Sequence, residues 1–239
     1  MEKKKLVEIK RGEEGHGLLI EHDGYISVDC GNNKKLFESF RNINENSEKP
    51  FHCPNPFVVD AVFQKFGIEN ANGRIYPETI LKREVEKYQT KIQERRAIGE
   101  CNHPSESVID LSRVAINIIE LHWEGHTLVG KMEILVSEGF RRNGIISCQG
   151  DQVAHLLLSG IKIGVSSRGL GTVTNKMGVL YVGEDFEIVC WDVVSDPSTP
   201  NAWVSDSYDN LKQYVETKEY KNKSQLSEKL ENFNDWLND

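Results

Sequence analysis

Two apolar runs, 114–123 and 127–136, flank Glu124-Gly-His126, and this pairing constrains the fold more than any other stretch. A glycine turn between two such runs is a hairpin signature, and their mixed alternation puts one face of the hairpin on a core. The same texture returns elsewhere. Residues 57–66 are β-branched and aromatic, with a turn signal at Asn70-Ala-Asn-Gly73. Residues 172–174 and 179–182 form a second predicted hairpin, and 186–194 a further strand running to Asp196-Pro-Ser-Thr-Pro200. Helices punctuate this pattern. Pro77 opens one in which Leu81, Val85, Tyr88 and Ile92 make one apolar stripe. A shorter one over 151–159 turns Val153, Leu156 and Leu157 inward and stops at Gly160. The expected class is α+β, a predominantly antiparallel β-barrel or sandwich core surrounded by helices.

Composition sets the outer limits. The 239 residues suffice for one good core with appended arms. Residues 1–50 are polar, with only Gly17-Leu-Leu-Ile20 and Tyr25-Ile-Ser-Val28 strand-like, and are expected to form a loosely held arm or pro-segment. Residues 51–204 are the expected core domain. Residues 205–239 form a second polar arm, in which Leu226, Leu230, Phe233 and Leu237 keep helical spacing. A net charge of −8, with Lys3-Lys4-Lys5 the longest basic run, argues against direct binding of nucleic acid. Five cysteines without Cys-x-x-Cys pairing fit a reducing cytoplasm rather than a disulfide framework. No apolar stretch is long enough to span a bilayer.

Two short segments carry chemistry. Gly160-Ile-Lys-Ile-Gly-Val-Ser-Ser-Arg-Gly169 sets two serines beside an arginine, and Gly99-Glu-Cys-Asn-His-Pro104 holds a histidine whose backbone Asn102 and Pro104 restrict. A serine hydroxyl becomes a nucleophile when a neighbouring imidazole takes its proton, and glycine-flanked amides can hold the oxyanion that follows. His122, His126 and His155 are background, near a hairpin turn or in a short helix. A metal-dependent hydrolase built on Cys101, His103 and Cys148 or Cys190 is a weaker alternative, because Cys-x-His without a second paired half is not a zinc pattern. No metal or cofactor is expected.

Asn72-Gly-Arg-Ile-Tyr-Pro77, Gly99-Glu-Cys-Asn-His-Pro104, Gly164-Val-Ser-Ser-Arg-Gly169 and Asp192-Val-Val-Ser-Asp-Pro-Ser198 together resemble the prohead (capsid maturation) proteases of T-even-type tailed phages. The likeness runs in order over 57–203. It implies a fold similar to the herpesvirus assemblins, with His103 as base and Ser166 as nucleophile. Assemblins carry a second histidine on the comparable strand, whereas this chain has none after His155, so Asp192 is expected as the third member. Asp110 and Glu100 are weaker candidates. Ser167, Arg168, Gly164 and Gly169 are expected to support the loop and the oxyanion site, Arg168 by ordering the loop or by binding an acidic substrate side chain. Cys101 departs from the leucine usual before Asn-His.

The resemblance further implies a virus-encoded endopeptidase in the host cytoplasm, enclosed in the assembling prohead, cutting scaffold and major capsid precursor proteins. It also implies a homo-oligomer. A catalytically inert capsid-core or scaffold component with the same fold is the rival reading. T-even-type relatives prefer a small aliphatic-x-Glu sequence before the cut. Self-trimming is therefore expected after Glu38 and Glu228, giving a stable fragment from Ser39, with Glu100 protected in the core.

Overall fold

The computed structural model describes residues 7–26, 31–46, 51, 53–104 and 106–195. Strands dominate. In chain order they are β1 (Gly15–Ile26), β2 (Phe57–Lys65), β3 (Arg74–Ile75), β4 (Ile98–Glu100), β5 (Val114–Glu124), β6 (Thr127–Ile134), β7 (Ile163–Lys176), β8 (Val179–Val182) and β9 (Glu187–Val194). The helices are α1 (Gly31–Asn46), α2 (Glu78–Gln93), α3 (Glu138–Asn143) and α4 (Gln149–Leu158). The class is mixed α+β, and among the described residues all nine strands lie in one sheet, ordered β3-β8-β7-β1-β2-β6-β5-β4 with β9 paired to β7.

No ladder closes this sheet into a barrel among the described residues. Its β4 end meets β9 through a bridge between Cys101 and Val193 and through the Asn102 N–H, which donates to the Val193 carbonyl at 2.8 Å. The expected hairpins are both present, β5 and β6 around Gly125-His126 and β7 and β8 around Met177-Gly178. Positive φ at both Met177 and Gly178 is the backbone twist that a tight two-residue connection requires.

Residues 15–26 are not a loosely held arm. β1 runs antiparallel to β7 from the Gly15–Val173 pair to the Ile26–Ile163 pair, and its other edge meets β2. Leu18, Leu19, Ile20 and Ile26 are buried, which explains why a segment in polar surroundings is nevertheless drawn into the middle of the sheet. α1 follows and docks on β2, where the Asn33 side chain donates to the Asp60 carbonyl at 2.9 Å and accepts from its N–H at 2.8 Å. Phe37 is buried edge-on against Phe57. The expected cut after Glu38 therefore falls in a helix, and a fragment starting at Ser39 would lack a central strand. The Glu228 site and the C-terminal apolar spacing lie outside the described residues.

Two helices pack where their patterns predict, with one exchange. α2 buries Ile80, Leu81, Val85 and Tyr88. α4 buries Val153, Ala154 and Leu157, while Leu156, expected inward, is exposed. Its start is held by Asp151, whose carboxylate accepts from the N–H groups of Ser137, Ser147 and Cys148 at 2.7, 2.8 and 3.1 Å and from both serine hydroxyls. Burial alone would raise the Asp151 pKa, and these donors hold it below its ordinary value instead.

Candidate active site

The serine segment is a strand and not a loop. Over residues 164–170, β7 has β9 on one edge and β1 on the other. Ser166 lies directly opposite Asp192, and Arg168 opposite Cys190. Side chains alternate between the faces of a sheet, so Ser166, Arg168, Cys190 and Asp192 share one face. Ser167 points to the other, where its register partner Trp191 packs edge-on against Phe63 and Tyr88 in the core. Parity thus separates the two adjacent serines. On β1 the pairing is irregular opposite Ser166, since two residues lie between Glu21 and Gly24 where β7 has only Ser166 between its partners Ser167 and Val165.

The histidine arrives from the end of β4. Gly99 passes so close to β9 that a Cβ there would sit 2.0 Å from the Trp191 carbonyl, so only glycine fits. Asn102 then takes φ of 66°, a left-handed conformation that asparagine tolerates better than most residues. This reverses the chain and delivers His103 over the face that carries Ser166. His103 Nε2 is hydrogen-bonded to Ser166 Oγ, and its Nδ1 lies 2.9 Å from Asp192 Oδ2. The imidazole thus bridges hydroxyl and carboxylate. Ser166 and Asp192 have no exposed surface, and 9% of the His103 side chain reaches solvent.

Asp192 is held from several directions. Its Oδ1 accepts from the Glu100 N–H at 2.9 Å, from Arg168 Nη2 at 3.3 Å and from the Cys190 thiol at 3.3 Å. Arg168 Nε lies 3.0 Å from Oδ2. Burial pushes the Asp192 pKa up, but the His103 hydrogen bond and the Arg168 charge outweigh it and hold the carboxyl below its usual range. Cys190, buried beside that carboxylate, is pushed far above the ordinary thiol value and stays a neutral thiol.

Arg168 is fully buried and engaged. Besides Asp192 it is hydrogen-bonded to Glu100 Oε2, donates to the Glu106 carbonyl at 2.6 Å and reaches Cys190 Sγ at 3.2 Å. It therefore orders the segment after His103, and is not free to meet an acidic substrate side chain. Gly169 is dictated by packing, because a Cβ there would lie 2.4 Å from the Phe186 ring. The oxyanion role expected of Ser167, Arg168, Gly164 and Gly169 assumed a glycine-flanked loop. These residues lie instead inside a strand paired on both edges, so the supporting part they play is in sheet and side-chain packing. Asp110, weighed as a third member, is exposed and caps the short 3-10 turn at Leu111–Arg113. Among the described residues, no group of three His, Cys, Asp or Glu side chains is placed to hold a metal ion.

A hydroxyl, an imidazole and a buried carboxylate joined in that order form the arrangement of the serine hydrolases. The comparisons narrow the class. The family model described as prohead core protein serine protease matches residues 18–210, and the chain belongs to that family. The "Prohead core protein protease" of Enterobacteria phage T4 is 33% identical over 150 residues, 62% of this chain and 67% of that protein. A solved structure of the bacteriophage T4 capsid assembly protease matches with a TM-score of 0.57 at 24% identity, over 74% of this chain and 96% of the other. The fold is shared, and the chain is a phage protease of capsid maturation.

Proposed function

We propose that the chain is a serine endopeptidase that cuts scaffold and major capsid precursor proteins inside the prohead, with Ser166 as nucleophile, His103 as general base and Asp192 as the carboxylate that orients it. The observation that carries this reading is the continuous set of hydrogen bonds from Ser166 Oγ through His103 to Asp192. With Nδ1–H donated to Asp192, Nε2 is left as the basic nitrogen facing the hydroxyl. Nε2 takes the proton as Oγ attacks the scissile carbonyl carbon. The tetrahedral adduct collapses, the C–N bond breaks, and the imidazolium returns the proton to the leaving amine. Water then repeats the sequence on the acyl-serine ester and frees the carboxylic acid.

Ser166 is enclosed in this structure, so a substrate backbone reaches it only when the surrounding segments part. A homo-oligomer in the host cytoplasm, within the assembling prohead, fits the family. The approach of β4 to β9 favours a barrel-like, assemblin-like core. The polar residues 205–239 remain a candidate pro-segment.

Covalent labelling with a serine-directed phosphonate, followed by peptide mapping, tests the reading. The label is expected on Ser166 and is expected to disappear in Ser166→Ala. Labelling of Ser167 instead, or proteolysis that survives Ser166→Ala, would reject it.

A further inference from the structure

Beneath the Ser166–His103–Asp192 set lies a buried ion cluster whose far member is Glu100. One of its carboxylate oxygens is hydrogen-bonded to Arg168 Nη2. The other accepts the Asp110 N–H at 2.7 Å. Its own N–H donates to Asp192 Oδ1. Glu100, Arg168 and Asp192 are all without exposed surface, so water screens little of the charge between them.

The charge balance of this cluster is informative. An arginine against Asp192 keeps it ionised, but it also cancels much of the field that stabilises the imidazolium on the other side of the same carboxylate. Asp192 and Arg168 alone would present His103 with a neutral pair. Adding the Glu100 carboxylate leaves one net negative charge facing the imidazole. Geometry points the same way, because Glu100 and Arg168 pin both ends of the segment after His103, at the Asp110 N–H and the Glu106 carbonyl.

We propose that Glu100 is a positioning residue of the protease, acting through Arg168 and Asp192 to fix the His103 segment and to keep a net negative charge beneath the imidazole. It touches none of the reacting atoms. The proposal rests on the reading of Ser166, His103 and Asp192 given above. Among the described residues, Asp192 from β9 touches the imidazole, and Cys190 from β9, Arg168 from β7 and Glu100 from β4 each reach Asp192. Arg113, which donates to the Cys101 carbonyl at 3.2 Å, lies beyond them.

The test is kcat and KM against pH, on a peptide that the full-length wild type cleaves. Activity rises with pH as the imidazole loses its proton. Removing a negative charge makes that proton leave more readily, so in Glu100→Gln the midpoint of the acid limb should fall by about 0.5–1 pH unit. The plateau kcat should fall about tenfold with KM unchanged, because the imidazolium formed in the transition state loses support. In Glu100→Gln/Arg168→Met, cation and anion leave together, and because the guanidinium lies nearer the imidazole the midpoint should sit above that of Glu100→Gln and below that of Arg168→Met.

A Glu100→Gln midpoint coincident with wild type overturns the proposal, whatever happens to the rate. If Glu100→Gln does not fold, Arg168→Met and the double variant decide: coincident midpoints in these two overturn the proposal. Failure of both to fold assigns Glu100 to stability alone and overturns it equally. Turnover that survives Ser166→Ala would instead reject the underlying site, which separates the two failures.

Discussion

Two buried carboxylates in the same sheet, each facing a buried arginine, have different fates. Glu21 on β1 accepts from Arg74 Nη1 and the Tyr76 hydroxyl at 2.7 and 2.9 Å through one oxygen, and from the Asn70 and Asn72 amides at 2.7 and 2.6 Å through the other. Asp192 on β9 is comparably crowded, but one of its donors is His103, whose second nitrogen meets a serine and whose ring reaches solvent. The first cluster holds the turn at 69–77 against β1 and, through Arg74, against the carbonyls of Ile9 and Lys10. The second has an exit for a proton. Asn72-Gly-Arg-Ile-Tyr-Pro77, one of the four motifs behind the family resemblance, thus supplies structure, whereas Gly99-Glu-Cys-Asn-His-Pro104 supplies the histidine of the proposed site.

Mutating matched positions in the two clusters should separate these roles. Ser166→Ala is expected to abolish proteolysis, and Asp192→Asn to lower kcat by about 10³–10⁴-fold through the wrong His103 tautomer, with the fold retained in both. Peptide turnover alongside circular dichroism checks this, and an Asp192→Asn enzyme at wild-type rate would erase the distinction between the clusters. Glu21→Ala should act in the opposite sense, costing about 3–5 kcal/mol of stability by stranding the buried Arg74, with kcat per folded molecule unchanged. Denaturant melts with active-site titration measure both quantities together.

A smaller effect concerns acid. The His103 hydrogen bond and the Arg168 charge hold the Asp192 pKa below the ordinary aspartate value of 3.8 in the folded protein, so its contribution to stability is present above that value and is lost as pH falls through the lower folded one. In the Ser166→Ala background, Asp192→Asn should therefore flatten the pH dependence of stability below 3.8, and an unchanged slope would contradict the shift. Ser167→Ala should do least. Its buried hydroxyl has no hydrogen-bond partner among the described residues, so removing it should change stability by less than about 1 kcal/mol and leave turnover intact. A dead Ser167→Ala enzyme would move the nucleophile by one residue.

The sequence disclosed the parts of this molecule unevenly. The hairpin β5–β6, the α2 stripe and the run that becomes β9 carry periodicity that survives folding, so they are legible from local pattern. β1 is not, because its strand partners β7 and β2 lie far along the chain and only their ladders turn two short apolar patches into one strand. α3 and β4 are too short to show a period. Ser166, His103 and Asp192 could be named from the resemblance, but the choice between Ser166 and Ser167 became physical only with alternation along β7. Reading the serine segment, 164–169, as a loop hid that parity. It also hid the contact between Glu100 and Arg168, whose pairing across 68 residues leaves no local signature.

The direct opposition of Ser166 and Asp192 also ties activity to the order of events in the life of the chain. Two members of the triad lie on different strands, and the His103 segment is fastened to one of them by the Asn102 N–H bond to Val193. A slip of β9 by one residue would turn Asp192 to the opposite face and bring Trp191 out of the core. On the proposed assignment, proteolytic competence requires the β7–β9 ladder in its correct register. A copy with that ladder misaligned would then be inert toward the assembly around it.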